Sequence, residues 1–376
     1  MGIYANYAAT TPALSEAVLK EIYSYLGGVH LNAGRNFQTI EKKTIALRAR
    51  RAIANLFCVD DPLRVVFTSG ATASLNMAIN GLAQPGDHVL ATSIEHNATA
   101  RPLELLRKNG VIDLEWLQCE PDGSLDAEKV RKALRKNTKL LVMSHASNVL
   151  GTILPATDCF KIAAEHGVFT VLDAAQTSGV LPWTVEHCDV IAFASHKGLG
   201  ALAGTGGFVV SERACSRMQI MMAGGTGSAS DSLDMPDFLP DRFEPGTQNT
   251  LGILSLAVSI EEILQAGIAK TRENERSCLT RFMAGLQNIP KVAPCGTLDP
   301  ARSATLVSLQ VKGHDAGEVS ERLFDQHGII TRSGLHCSPL AHKTAGTYPA
   351  GTIRFSFGQG TTEAEVDTIL EALSAL

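Results

Sequence analysis

The apolar run Val190-Ile191-Ala192-Phe193-Ala194 ends abruptly in Ser195-His196-Lys197, and glycines follow at 198, 200, 204, 206 and 207. A lysine in that position calls for an explanation, because it closes a strand of buried character and precedes a loop whose glycines let backbone approach a ligand closely. Burial disfavours the charged ammonium and leaves the free amine, the form that attacks a carbonyl carbon to make a Schiff base. A structural or solvent-exposed lysine also fits a strand end, so Lys197 needs partners before it carries chemistry. One candidate closes the run Phe169–Leu172, where Asp173 stands before Ala174-Ala175-Gln176. Ligands of parallel α/β sheets bind outside the carboxyl ends of the strands, which places Asp173 and Lys197 at one crevice. A carboxylate there either keeps a pyridinium nitrogen protonated or caps a helix N-terminus. A third turn, Phe67-Thr68-Ser69-Gly70-Ala71-Thr72, passes from strand through glycine into a helix whose first N–H groups and positive dipole end suit a phosphate. It is neither a P-loop nor a dinucleotide G-x-G-x-x-G turn.

Bringing three strand ends together requires a sheet. Between residues 65 and 211, short runs rich in Val, Ile, Leu and Phe predict strands at Val65–Ser69, His88–Ser93, Leu140–His145, Phe169–Ala174, Val190–Ala194 and Gly207–Ser211. Segments of helical period separate them at Thr72–Leu82, Asn97–Lys108, Asp126–Arg135 and Pro155–His166. That alternation predicts an α/β domain around a mostly parallel sheet. A glycine-rich stretch, Gly224–Gly227, and an acidic loop, Ser228–Phe243, then lead to a long apolar helix over Asn249–Ala266. Beyond residue 271 the pattern changes to helices mixed with strands at Thr305–Val311, Gly328–Arg332 and Thr352–Phe357, which predicts a smaller α+β domain. The expected division is 16–250 for the large domain, with 1–15 and 251–376 forming the small one.

Composition narrows the partners. The 376 residues carry Lys+Arg 33 against Asp+Glu 38 without a basic block, so nucleic acid and anionic membrane are not expected partners. No run of about 18 apolar residues predicts a membrane span. The eight cysteines show no C-x-x-C spacing, which argues against structural zinc or a disulfide framework. With no signal-peptide pattern at MGIYANYAATTP, the expected compartment is the reducing cytoplasm.

Taken in order, the motifs are far more specific than any one of them. Gly70-Ala71-Thr72, Glu95-His96-Asn97-Ala98, Ser147-Asn148-Val149-Leu150-Gly151, Asp173-Ala174-Ala175-Gln176 and Ser195-His196-Lys197 are followed by Glu244-Pro245-Gly246-Thr247-Gln248-Asn249, Arg332-Ser333-Gly334-Leu335-His336-Cys337 and Ile353-Arg354-Phe355-Ser356. This series resembles the pyridoxal 5'-phosphate (PLP)-dependent class V aminotransferases, in particular their cysteine desulfurase and selenocysteine lyase branch. The opening Ile3–Thr11 is similar too, so the resemblance spans essentially the whole chain. It implies a fold-type I transferase with a mostly parallel seven-stranded sheet. It also implies that Lys197 forms the Schiff base with PLP and moves the substrate Cα proton, while Asp173 pairs with the pyridine nitrogen. By the same likeness Gln176 meets the ring's phenolic oxygen, His96 stacks on the ring, and Asn148 lies near that oxygen and the substrate. The phosphate falls to Thr72 and His196 with the Ala71 and Ser195 positions, and to Thr247 of a neighbouring subunit, which implies a homodimer. Arg354 holds the substrate α-carboxylate, a task suited to a planar guanidinium.

Cys337 decides the narrower activity. In desulfurases a loop thiolate attacks the sulfur of the bound cysteine, leaving alanine and a persulfide that passes to an acceptor protein. Arg332, His336 and His342 stand near it as groups that favour thiolate. The short interval from Cys337 to Arg354 suggests a compact loop, similar to the branch that transfers sulfur slowly. The other seven cysteines read as small, mostly buried apolar residues. Two departures concern the phosphate: Ala194 and Ala71 stand where the family often has a hydroxyl, and alternation along the strand turns Ser195 to the opposite face. Cofactor retention is therefore expected to lean on backbone N–H groups and Thr247. Two other readings keep parts of the set. A PLP-dependent C–S β-lyase or aminotransferase uses Lys197 and leaves Cys337 idle, and a non-catalytic PLP-binding scaffold has no chemical need for Lys197, Asp173, His96 and Arg354 together.

Overall fold

In a computed structural model that describes residues 2–28 and 38–376, seven strands form the larger sheet. They are β1 (Val65–Thr68), β2 (Asp87–Thr92), β3 (Ile112–Leu117), β4 (Thr138–Ser144), β5 (Phe169–Asp173), β6 (Val190–Ala194) and β7 (Gly206–Val210). The order across the sheet is β1-β7-β6-β5-β4-β2-β3. Only β7 runs against its neighbours, so β4, β5 and β6 deliver their carboxyl ends to the same edge. Strands β2, β6 and β7 are buried along their whole length, as continuous apolar strands covered on both faces should be. Alternation assigns the faces: Val66, Val89, Val171 and Phe208 pack under Leu75, Ile79 and Leu82 of the helix Ala71–Leu82. On the other face Val65, Phe67, Ile191 and Val209 meet Ile53 of the helix Gln38–Leu56, Phe57 just beyond it, and Leu256 and Ile260 of the helix Thr250–Ala266.

The smaller sheet is antiparallel, in the order β10-β11-β9-β8, with β8 (Val292–Cys295), β9 (Leu306–Val311), β10 (Arg332–Gly334) and β11 (Thr352–Ser356). Its core of Leu309, Phe355, Phe282, Leu323 and Ile369 is closed by the helices Ile268–Leu286, Ala316–His327 and Glu363–Ala375. The N-terminal segment joins both units. Tyr4 and Asn6 bridge to Ile330 and Ser356 beside the small sheet, whereas the Thr10 and Thr11 hydroxyls donate to the His196 and Lys197 carbonyls.

Several boundaries differ from those expected. The predicted strand Gly328–Arg332 moves to Arg332–Gly334, because Gly328 sits at φ 65 as the left-handed cap of the preceding helix. The edge strands β3 and β8 and the helices before residue 65 are additions. The helix Thr250–Ala266, at the expected division 250/251, contributes Ile253, Leu256 and Ile260 to the large-sheet core. Among the described residues no single helix is long and apolar enough to cross a membrane.

Candidate active site

A crevice with about 800 Å³ of empty space opens at the carboxyl ends of β4, β5 and β6, and its walls include Ala71, Thr72, His96, Asn148, Asp173, Gln176, His196 and Lys197. The sequence placed these eight residues at one site from motifs spread over more than a hundred positions, and the fold brings them together. The first turn of the helix Ala71–Leu82 faces the crevice, and its cap, Gly70 at φ 149, provides no side-chain acceptor. Its leading N–H groups therefore remain for an anion. Glycine is required behind this turn: a Cβ on Gly206 of β7 would lie 2.7 Å from the Gly70 Cα.

Burial pushes the Lys197 amine below the ordinary lysine range; Asp173 opposes that shift, and the positive charges of Arg354 and Arg332 reinforce it. The Asp173 Oδ1 accepts the Ala175 N–H at 2.9 Å, so this carboxylate braces its own turn as well as facing the crevice. His96 caps the helix Asn97–Lys108 by accepting the Ala98 N–H on Nδ1 at 3.0 Å. Burial holds its pKa down to about 4, so the ring is neutral near pH 7. Gln176 donates to the Ala8 carbonyl at 3.1 Å, which ties the N-terminal segment to the wall.

Arg354, on β11, lies behind Asn148. Its Nη1 donates to the Asn148 carbonyl at 2.9 Å and its Nη2 to the Asn6 Oδ1 at 3.2 Å, while Nε has no partner among the described residues. Burial lowers its pKa to about 9. A guanidinium held by neutral acceptors only is poised for a carboxylate. Cys337 is exposed, and its Sγ lies 3.9 Å from the Arg332 Nη2. The two histidines expected to share that role do not. His336 and His342 are buried, held down to about 2 and about 4 chiefly by that burial, and both are neutral. Among the described residues Arg332 is thus the cation beside the thiol. The loop itself is built into the fold: the Cys337 carbonyl accepts the Asn97 N–H at 2.8 Å, and the short helix Pro339–Thr344 follows.

One expected cofactor contact falls elsewhere. The Ser195 hydroxyl faces away from the crevice and donates to the Leu202 and Thr205 carbonyls, the outcome of strand alternation. Thr247, expected at a neighbouring subunit's phosphate, is exposed and lies outside its own chain's crevice. Its segment is fixed by Glu244, which accepts the Phe67 N–H and pairs with Arg50 at 2.6 Å in a buried ion pair. Cys58, grouped with the buried thiols, is exposed. Residues without an assigned role also matter. Glu95 is fully buried and accepts from the Thr92 hydroxyl, the Ser144 N–H and the Ser144 hydroxyl. Burial pushes it up to about 7. Its place before His96 in the motif was the available signal.

The sequence profile described as Aminotransferase class-V matches residues 3–369. The chain belongs to the class-V aminotransferase family. Among its relatives in that family, a protein of Pyrococcus abyssi named probable cysteine desulfurase is 30% identical over 388 residues, covering 100% of this chain and 94% of the relative. A cysteine desulfurase of Escherichia coli O7:K1 is 28% identical, covering 99% of this chain and 93% of the relative. The solved apo structure of a cysteine desulfurase from Thermococcus onnurineus NA1 superposes with a TM-score of 0.92 at 28% identity, covering 100% of this chain and 94% of that one. Family members use PLP. The crevice fits that group chemically: an uncapped helix N-terminus for the phosphate, a carboxylate at a strand end for the ring nitrogen, and a depressed lysine amine for the aldehyde.

Proposed function

We propose that this chain is a PLP-dependent cysteine desulfurase, which converts L-cysteine to L-alanine and keeps the sulfur as a persulfide on Cys337, with selenocysteine as a second substrate. The observation that carries the proposal is the exposed Cys337 thiol beside Arg332, on a loop bonded to crevice residue Asn148. PLP, when bound, supplies an aldehyde for the amino group and a ring that accepts electrons from Cα. Thr72, His196 and the N–H groups at Ala71 and Thr72 hold its phosphate, Asp173 meets the ring nitrogen, and His96, Asn148 and Gln176 border the ring. Arg354 takes the substrate α-carboxylate. Lys197, whose pKa burial lowers, removes and returns the Cα proton. The Cys337 thiolate attacks the substrate sulfur: the S–S bond forms as the C–S bond breaks, and the electron pair stays with the carbon skeleton, which takes up a proton to become alanine.

The working unit is a homodimer in which Thr247 serves the neighbouring subunit's phosphate. Exposed Met221, Met222, Leu233 and Phe238 in the preceding segment support that reading, since clustered apolar surface seeks a partner. An acceptor protein or a small thiol removes the sulfur, and a reducing compartment such as the cytoplasm keeps Cys337 free. Product analysis tests the proposal. Cys337→Ala is expected to retain the yellow cofactor and to lose alanine formation from cysteine, and Lys197→Ala to lose the colour. Unchanged alanine and sulfide in Cys337→Ala refute the persulfide route, and pyruvate with ammonia in their place assigns a β-lyase.

A further inference from the structure

Cys337 sits on an improbable piece of backbone. His336 and Cys337 are successive non-glycine residues in the left-handed region, at φ 48 and φ 58. Such residues are uncommon and persist only where their surroundings impose them. The surroundings are unusually specific. The Asn148 amide grips the loop on both sides of the cysteine: its Nδ2 donates to the His336 carbonyl at 2.8 Å, and its Oδ1 accepts the Ser338 hydroxyl at 2.6 Å. Ser338 is fully buried, and its hydroxyl does not cap the helix that starts beside it. Its N–H closes the turn onto the Leu335 carbonyl at 2.8 Å. On the far side, the Asn148 carbonyl receives the Arg354 guanidinium.

We infer that Ser338 is a positioning residue for the sulfur-transfer step: through its bond to the Asn148 Oδ1 it holds the left-handed turn that presents the Cys337 thiol to the crevice. The inference rests on Cys337 being the sulfur acceptor. Removing the hydroxyl leaves the Asn148 Oδ1 unpaired and frees the turn to relax toward ordinary φ, displacing the thiol while leaving Arg354, Lys197 and the crevice wall in place. Displacements of about 1 Å cost up to about a hundredfold in rate.

The test compares holoenzymes of wild type, Ser338→Ala, Ser338→Thr and Cys337→Ala in steady-state alanine formation, with cofactor absorbance and thermal unfolding as controls. Ser338→Ala is expected to lower kcat at least about tenfold with KM for cysteine, absorbance and melting temperature nearly unchanged, and Ser338→Thr to restore kcat. The inference is overturned by a kcat for Ser338→Ala within twofold of wild type, by a loss shared equally between kcat and cofactor binding, or by a Ser338→Thr variant as slow as Ser338→Ala. That last comparison decides the matter even where the alanine variant folds poorly. Alanine formation persisting in Cys337→Ala instead removes the underlying desulfurase reading.

Discussion

Glu95→Gln isolates one buried charge. In the native protein the Glu95 carboxyl titrates near 7, against 4.5 for an exposed carboxylate, because burial disfavours the anion more than Thr92 and Ser144 stabilise it. The folded state thus holds a proton that the unfolded chain gives up. Stability from this group is fully present below 4.5 and is lost as pH rises to 7, above which the loss levels off. Between pH values near 5.5 and 8.5 the two titration curves part by roughly one and a half decades, or about 2 kcal/mol. Glutamine keeps the shape and has no such dependence. Its amide can donate to the Ser144 hydroxyl and accept from the Thr92 hydroxyl and the Ser144 N–H. Urea unfolding of both proteins at these two pH values, at one protein concentration and saturating PLP, should show the stability difference moving by about 2 kcal/mol in favour of the variant at the higher pH. Because every other titrating group is common to both proteins, a difference that stays constant refutes the reasoning.

Other outcomes follow from single contacts. Arg354→Gln removes the guanidinium and should cost about 3 kcal/mol of transition-state binding, about a hundredfold in kcat/KM for cysteine by alanine production. Gly206→Ala pushes a Cβ against the Gly70 backbone and should weaken PLP retention about tenfold, read by absorbance at equilibrium. Brief iodoacetamide treatment of the native protein should label Cys58 and Cys337 and spare Cys119 and Cys159, whose thiols burial pushes up to about 11 and about 12. Peptide mass spectrometry reads that pattern.

Asp173 and Lys197 were legible from sequence because a polar residue that ends an apolar run marks a strand's carboxyl end, and parallel strands gather those ends. The eight crevice residues follow from that logic together with the family likeness. Long-range pairings were not legible in the same way. Arg354 is held by Asn6, 348 positions away, and no local pattern encodes that meeting. His336 and His342 looked like cations because proximity in sequence carries no information about burial, and burial decides their charge. The same holds for Ser338, a routine helix-start residue whose hydroxyl turns to Asn148. β3 escaped notice because its alternation, with exposed Asp113 and half-buried Glu115, is that of a sheet edge, not of a buried strand.

The N-terminal strap that lies over the His196–Lys197 turn has a consequence in time. Residues 4 and 6 find their partners at Ile330 and Ser356, near the opposite end of the chain. These residues therefore wait for partners made more than three hundred positions later, and closing that loop is among the most non-local steps the fold contains. The large sheet can assemble while this strap is still loose. Completion of the lysine turn, and with it a fully formed crevice, is deferred until Ile330 and Ser356 have been made, so a shorter nascent chain presents the sheet before it presents the chemistry.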